Sequence, residues 1–499
     1  MTLLVGLDIG TSGARAVAID LSGKVVAQAA SEYPLLTPRP GWTEQHPEDW
    51  WHASREVLAR VAAEAGGQIT GLGLTGQMHG SVFLDADSEV IRPALLWNDQ
   101  RTELQCREIT ERVGPRRLLE ITGNPALTGF QAPKLLWLRE EEPAAYARLA
   151  HVLLPKDYVR LRLTGEHATD ASDASGTLLL DLGRRDWSDE ILTTLELPRE
   201  WMPRVLEGPQ VSGRLRPGAA AETGLPEGLQ VAAGGGDNAA AAVGTGVIHQ
   251  GLASASIGTS GVVFSPSEGS LRDPEGRVHA FCHAVPGGYH LMGVTLSAGG
   301  SLRWWRDLID GRLGYDELTA LAAQAPPGSE GLIFLPYLTG ERTPHLDPSA
   351  RGAFFGLTSR HSKAHLTRAV MEGVVFSLRA CLEAMAAAGV VPDQVRATGG
   401  GARSPRWRQL QADIYGLPIH RTLWEEGPAY GAALLGGVAA GVFGSVEEAC
   451  RLVRLQADVT EPDPAVREVY DAYYRAFSSL FPASQGVMHD LSRLAQGNR

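Results

Sequence analysis

Two short segments, Gly10-Thr11-Ser12-Gly13 and Gly258-Thr259-Ser260-Gly261, have the residue types that hold phosphate. Glycine frees the backbone to turn N–H groups toward an anion, and the hydroxyls add donors. One isolated copy reads equally well as a plain hairpin turn. Two facing copies could grip a nucleotide's phosphates from both sides. Each is preceded by Ile, but Asp8 stands before the first pair and Ser256 before the second. Only the first turn therefore carries a carboxylate, which repels phosphate unless Mg²⁺ and its waters stand between them.

A third glycine run, Gly234-Gly235-Gly236, leads into Asp237-Asn238. Phosphoryl transfer to an alcohol wants a carboxylate that accepts the hydroxyl proton, and glycines permit such a group to be held beside a ligand. Asp237 also fits as the cap of a helix over 239–243, and the two roles are compatible. Gly399-Gly400-Gly401-Ala402 and Ser297-Ala298-Gly299-Gly300-Ser301 serve either as plain turns or as flat surfaces for adenine or ribose. No Gly-x-x-x-x-Gly-Lys-[Ser/Thr] occurs, and no Gly-x-Gly-x-x-Gly follows the first strand, which argues against P-loop and dinucleotide sites.

The elements that must position these groups alternate between strand and helix patterns. Apolar runs at 3–9, 16–20 and 25–30 predict a β-meander with the first turn inside it. Pro47 opens a helix, and a strand over 69–75 ends in Gly76-Gln77-Met78-His79-Gly80. A strand over 94–97 ends in Asn98-Asp99-Gln100-Arg101, and polar clusters at strand ends fit an open α/β sheet. The second half repeats the scheme. Strands at 252–257 and 262–265 flank the second turn, and a long helix spans about 365–388. A strand over 395–398 precedes the Gly399 run and a helix opened by Pro405; a final Ala/Gly-rich helix is expected at 430–442. The echo at half the chain length predicts two related domains, 1–245 and 246–499.

Composition sets the limits. The chain has 499 residues and is 44% hydrophobic, enough for more than one core, while its 58 glycines imply many tight turns. A net charge of −12 opposes nucleic acid as a partner. Cys106, Cys282, Cys381 and Cys450 have no zinc or redox spacing and read as reduced thiols of a cytoplasmic protein. The most apolar stretch, 231–248, has Asp237 and Asn238 in its middle, so no membrane span is expected.

Longer stretches carry a family resemblance. Phe130-Gln-Ala-Pro-Lys134-Leu-Leu-Trp137-Leu-Arg-Glu140, and Gly352-Ala-Phe354-Phe-Gly356-Leu357 through His365-Leu366 to Ala369-Val-Met-Glu372, resemble the signatures of the FGGY carbohydrate kinases. Shorter matches lie at Gly76–Gly80, Leu96–Asp99, Leu154–Tyr158, Ala168–Gly176, Gly234–Ala239 and Gly340–His345, and the likeness fades after Gly436. The resemblance implies two ribonuclease H-like (actin-like ATPase) domains with a central cleft, ATP and Mg²⁺. It implies Asp237 as general base, a sugar site of Met78, His79, Trp97, Asp237 and Asn238, and Asp8 at the metal. The phosphate turns Thr11, Ser12, Gly258, Thr259 and Ser260 join Gly299, Arg303, Gly400, Gly401 and Ala402 as nucleotide contacts.

Met78-His79 points to a ketose such as D-xylulose, since glycerol-specific relatives carry an Arg-Glu pair there. A kinase for ribulose or another ketose is the nearest alternative, and an actin-like ATPase without a sugar acceptor a more distant one. The family tends to dimerise. Pro405 departs from the family's usual Asn and removes a side-chain hydrogen bond to adenine. Lys156-Asp157 and Glu341-Arg342 read as structural ion pairs.

Overall fold

A computed structural model describes residues 1–425 and 427–497. The first sheet contains β1 (Thr2–Ile9), β2 (Gly13–Asp20), β3 (Val25–Glu32), β4 (Gln68–Gly76), β5 (Val211–Arg214), β6 (Gln230–Ala232) and β7 (Gly235–Gly236). Their order is β5-β6-β4-β1-β2-β3, with β7 joined to β4. β1 runs antiparallel to β2 and parallel to β4. Helix α1 (Pro47–Glu64), which has Pro at its first turn, covers one face with Trp50, Trp51, Val57, Leu58 and Val61.

The second sheet repeats this pattern. It consists of β8 (Leu252–Ile257), β9 (Gly261–Ser267), β10 (His279–Cys282), β11 (Tyr289–Thr295), β12 (Gln394–Thr398) and β13 (Ile419–His420). The order is β10-β11-β9-β8-β12-β13. Here β8 is antiparallel to β9 and parallel to β12, matching β1 with β2 and β4. Each glycine turn is the hairpin of its sheet's first two strands. Gly10 N–H donates to Gly13 O at 3.1 Å, and Gly258 N–H donates to Ser260 O at 3.0 Å.

Five helices complete the frame used below: α2 (Asp237–Thr245), α3 (Gly299–Asp310), α4 (Lys363–Ala387), α5 (Pro405–Tyr415) and α6 (Gly427–Ala439). The last of these belongs to the second half of the sequence yet packs on β1, β4 and α2 of the first. Glycine makes that crossing possible. A Cβ on Gly6 would fall 1.8 Å from Ala429 O, and one on Gly73 would fall 1.8 Å from Ala432 O.

The expectation that the 430–442 helix is the last one is wrong: α7 (Arg467–Gly497) follows it. Tyr470, Tyr474, Phe477 and Phe481 recur at helical spacing and are buried, packing against Phe376 and Tyr337. The strand expected at 94–97 ends at Leu95: Leu96 N–H still donates to Thr43 O in register, but Thr43 N–H goes to the Asp99 carboxylate at 2.7 Å. Among the described residues no helix is long and apolar enough to cross a membrane.

Gly73→Ala forces backbone apart from backbone, where no rotamer relieves the clash. Its urea midpoint should fall by the equivalent of about 1–3 kcal/mol, the usual toll of overpacking. An unchanged midpoint would contradict the close approach of α6.

Candidate active site

The backbone that delivers Asp237 has little freedom. Gly234 sits at φ +82°, and a Cβ there would lie 1.8 Å from Leu74 O. Gly235 and Gly236 then pair in parallel with Thr75 and Gly76 at the end of β4. Gly236 N–H donates to Ser172 Oγ at 3.1 Å, and the Arg160 guanidinium donates to Ala233 O. Behind Ser172 lies a fully buried ionic cluster. Ser172 Oγ donates to Asp170, whose other oxygen is 2.9 Å from Lys156 Nζ. Lys156 also meets Asp157 at 2.7 Å and Asp173 at 3.0 Å. Lys156-Asp157 is thus an ion pair as expected, and part of a larger group that clamps both sides of the glycine run.

Asp237 is the first residue of α2, and its Oδ1 accepts from Asn238 N–H at 2.8 Å and Asn238 Nδ2 at 2.9 Å. Burial pushes this carboxyl up to about 6 against those hydrogen bonds. Asp8, near the end of β1, is pushed up to about 7 by burial, then by the charge of Asp237, with Arg15 opposing. Asp8 Oδ1 is buried and has no hydrogen-bond partner. Two carboxyls in one field, one with an orphaned oxygen, could receive a hard cation. Among the described residues no group of three His, Cys, Asp or Glu could hold such an ion alone. The remaining ligands would be water and substrate oxygens, as Mg²⁺ prefers.

Met78 and His79 lie on the turn after β4. A Cβ on Gly236 would lie 2.9 Å from Met78 Cγ, so this thioether packs directly beside the backbone of Asp237. His79 adopts φ +68°, and its Nδ1 is 2.5 Å from Gly176 O. A carbonyl only accepts, so Nδ1 carries the proton and Nε2 is left as an acceptor. Burial holds this imidazole well below the usual range, which keeps it neutral. Phe130 packs edge-on against the ring with centroids 4.9 Å apart, and Lys134 Nζ donates to His79 O at 2.8 Å. Trp97 Nε1 donates to Thr11 Oγ1 at 3.0 Å. That bond ties the expected sugar-packing ring to the first phosphate turn.

Across the seam lies a cavity of about 400 Å³. Arg15, Asp237 and Asn238 line it from the first half; Ser256, Gly400 and Ala402 line it from the second. Gly401 sits behind the wall, where a Cβ would lie 2.6 Å from Ile257 Cβ. Gly299 anchors the second turn: its N–H donates to Gly258 O at 2.8 Å, and Ala298 and Gly300 N–H donate to Thr259 O at 2.9 and 3.0 Å. Ser12, Gly258 and Thr259 are exposed at the turns, while Ser260 is half-buried. Arg303 stands on the exposed side of α3, outside the cavity wall. Pro405 opens α5, with Ser404 Oγ as its cap acceptor.

The sequence left Arg15 unread and gave Arg342 only a structural pairing. Arg15 could have been found from strand alternation, since it pairs with Asp8 across the first hairpin. Arg342 was expected to pair with Glu341, and it does not. The Glu341 carboxylate accepts from Leu296 N–H at 2.9 Å, Arg342 N–H at 2.8 Å and Ser377 Oγ at 3.3 Å, which turns it toward α4.

This geometry has known counterparts. The N-terminal domain model of the FGGY family of carbohydrate kinases matches residues 3–244, and the C-terminal domain model matches residues 253–440. A xylulose kinase from Escherichia coli strain K12 is 46% identical over 440 residues, covering 88% of this chain and 90% of that protein. One from Lactococcus lactis is 40% identical over 496 residues, covering 98% and 99%. A crystal structure of a xyloylose kinase from Brucella ovis superposes with a TM-score of 0.92 at 41% identity, over 97% of this chain and 100% of that one. The chain belongs to the FGGY family of carbohydrate kinases.

Proposed function

We propose that the chain transfers the terminal phosphoryl group of ATP to the C5 hydroxyl of D-xylulose, giving D-xylulose 5-phosphate and ADP. The observation that carries this reading is the position of Asp237. Its carboxyl stands on the wall of the cavity between the two halves, while Met78, beside His79, packs against the backbone that presents it. A base there serves a hydroxyl arriving from the His79 side and a phosphoryl group arriving from the cavity side. The family supports ATP as donor, and the relatives named above support a ketose acceptor.

On this reading residues 1–245 form the sugar and metal side, and 246–499 the nucleotide side. His79 Nε2 accepts from a sugar hydroxyl, Met78 and Trp97 pack against the carbon chain, and Asn238 keeps Asp237 oriented. Asp237 takes the proton of the attacking hydroxyl as the new O–P bond forms. The turns at Gly10 and Gly258, with Gly400 and Ala402, hold the nucleotide in line. Asp8 would hold Mg²⁺ through its orphaned oxygen, and the ion would neutralise charge on the phosphate oxygens.

Asp237→Asn should lower turnover by about 10²-fold or more, with nucleotide binding near normal in equilibrium titration. Near-wild-type turnover would remove Asp237 from the role of base. The kcat/KM profile for D-xylulose should fall on the acid side below about pH 6, where Asp237 becomes protonated. A flat profile down to about pH 5 would contradict that assignment.

Asp8 gives a stability test with the opposite sign to activity. Its folded-state value is raised from 3.8 to about 7, so its contribution is fully present below 3.8 and is lost as pH rises through about 7. Ligand-free Asp8→Asn should therefore melt above the wild type at about pH 8, and the gap should shrink toward about pH 5. Its turnover should fall by an order of magnitude or more. A variant melting below the wild type at about pH 8 would show that Asp8 is held by a partner instead.

A further inference from the structure

Arg342 is a cation that makes no side-chain ion pair among the described residues, although the neighbouring Glu341 charge acts on it. Its backbone is fixed on both sides. Glu341 and Asp347 exchange two hydrogen bonds, at 2.9 and 2.8 Å, which close the loop between them. Thr343 N–H donates to Val294 O at 2.9 Å, and Thr343 Oγ1 accepts from Val294 N–H at 3.1 Å, docking the loop on β11. The far end is braced by α7: His489 Nε2 is 2.6 Å from Asp347 Oδ2, and Gln485 Nε2 donates to the same oxygen at 2.9 Å. The last helix of the chain thus supports the loop that carries Arg342.

The side chain leaves the second half and enters the first. A Cβ on Gly129 would lie 3.5 Å from Arg342 Nη2 and 2.6 Å from Trp97 O. The guanidinium therefore sits by the 97–130 wall of the sugar site. There its charge adds to the depression of His79, Lys134 and His279, which burial chiefly causes. Among the described residues it has no side-chain hydrogen bond and no ion pair. The neighbouring Gly129 O accepts from Lys134 Nζ at 2.7 Å. Burial pushes Glu341 up to about 8, with its hydrogen bonds and the Arg342 charge opposing, and its oxygens are turned to Leu296, Arg342 N–H and Ser377. A half-buried guanidinium has five N–H donors and wants acceptor oxygens; among the described residues no side chain supplies one.

We propose that Arg342 is a substrate-binding residue contributed by the second half, donating to the ketose carbonyl and its neighbouring oxygen at the end remote from Asp237. A carbonyl only accepts and a guanidinium only donates, whereas His79 Nε2 accepts from a hydroxyl. The two side chains thus read the two kinds of oxygen that a ketose carries. Sugar held between them also spans the seam, so binding the ketose joins the halves before transfer. This inference rests on the ketose kinase reading above.

The test uses full-length Arg342→Gln and Arg342→Lys with D-xylulose, and with xylitol, in which the carbonyl is reduced. For R342Q the KM for D-xylulose should rise at least about tenfold, while KM for ATP stays within about twofold. R342K keeps the charge but not the fork, so its KM should lie between. The loss with xylitol should be smaller than with D-xylulose, because the carbonyl is absent. If R342Q does not fold, R342K carries the same readouts. Unchanged ketose KM in the folded variants, or equal rises for ketose and ATP, would overturn the role of Arg342. A wild type inactive on D-xylulose would overturn the ketose reading itself, which keeps the two failures apart.

Discussion

Two carboxyls, Asp8 and Asp237, are buried at the seam of the molecule, with Arg15 offsetting the first and the Asn238 hydrogen bonds the second. Burial disfavours the charged form of each, and the Asp237 charge makes Asp8 harder still to ionise. Most of the surrounding architecture keeps this unfavourable arrangement in place. The Asp237 backbone is pinned by Ser172 and Arg160 in front of a buried cluster of charges. Asp8 is fixed by a strand paired on both edges. On the proposed reading, a cation arriving with the nucleotide relieves that cost and carries the phosphate charge in turn.

The repeated fold explains why the site lies where it does. Each half makes the same antiparallel hairpin followed by a parallel partner, so each carries its glycine turn at the same place in its sheet. Helices α2 and α6 join the two halves. A Cβ on Gly431 would lie 1.8 Å from Ala240 O, so these helices touch backbone to backbone. The halves are nevertheless not equivalent. Asp8 in the first and Ser256 in the second divide the work into a side with the carboxylate and a side without.

Much of this was legible in the sequence, because it depends on local chemistry. Glycine turns, strand runs and the Gly234–Gly236 approach to Asp237 are short-range features, and the structure has them where the residues implied. Long-range packing was not legible. Nothing local says that α6 packs on the opposite sheet, or that Glu341 turns toward Ser377 and leaves Arg342 to cross the seam. The α7 stripe, Tyr470-Tyr474-Phe477-Phe481, is legible as helical spacing although it lies beyond the motif likeness, which ends near Gly436. The role of Lys156 was half legible: its neighbour Asp157 is adjacent in sequence, while Asp170 and Asp173 join it only through the fold.

On this reading Asp8 is about half protonated near neutral pH, and more so below it, until a metal–nucleotide complex binds. Calorimetric titration of Mg²⁺ with a non-hydrolysable ATP analogue, repeated in buffers of different ionisation enthalpy, counts the protons released. At about pH 6.5 the wild type should release on the order of half a proton or more, and Asp8→Asn distinctly fewer. A buffer-independent heat in the wild type, or the same release from both proteins, would contradict the account.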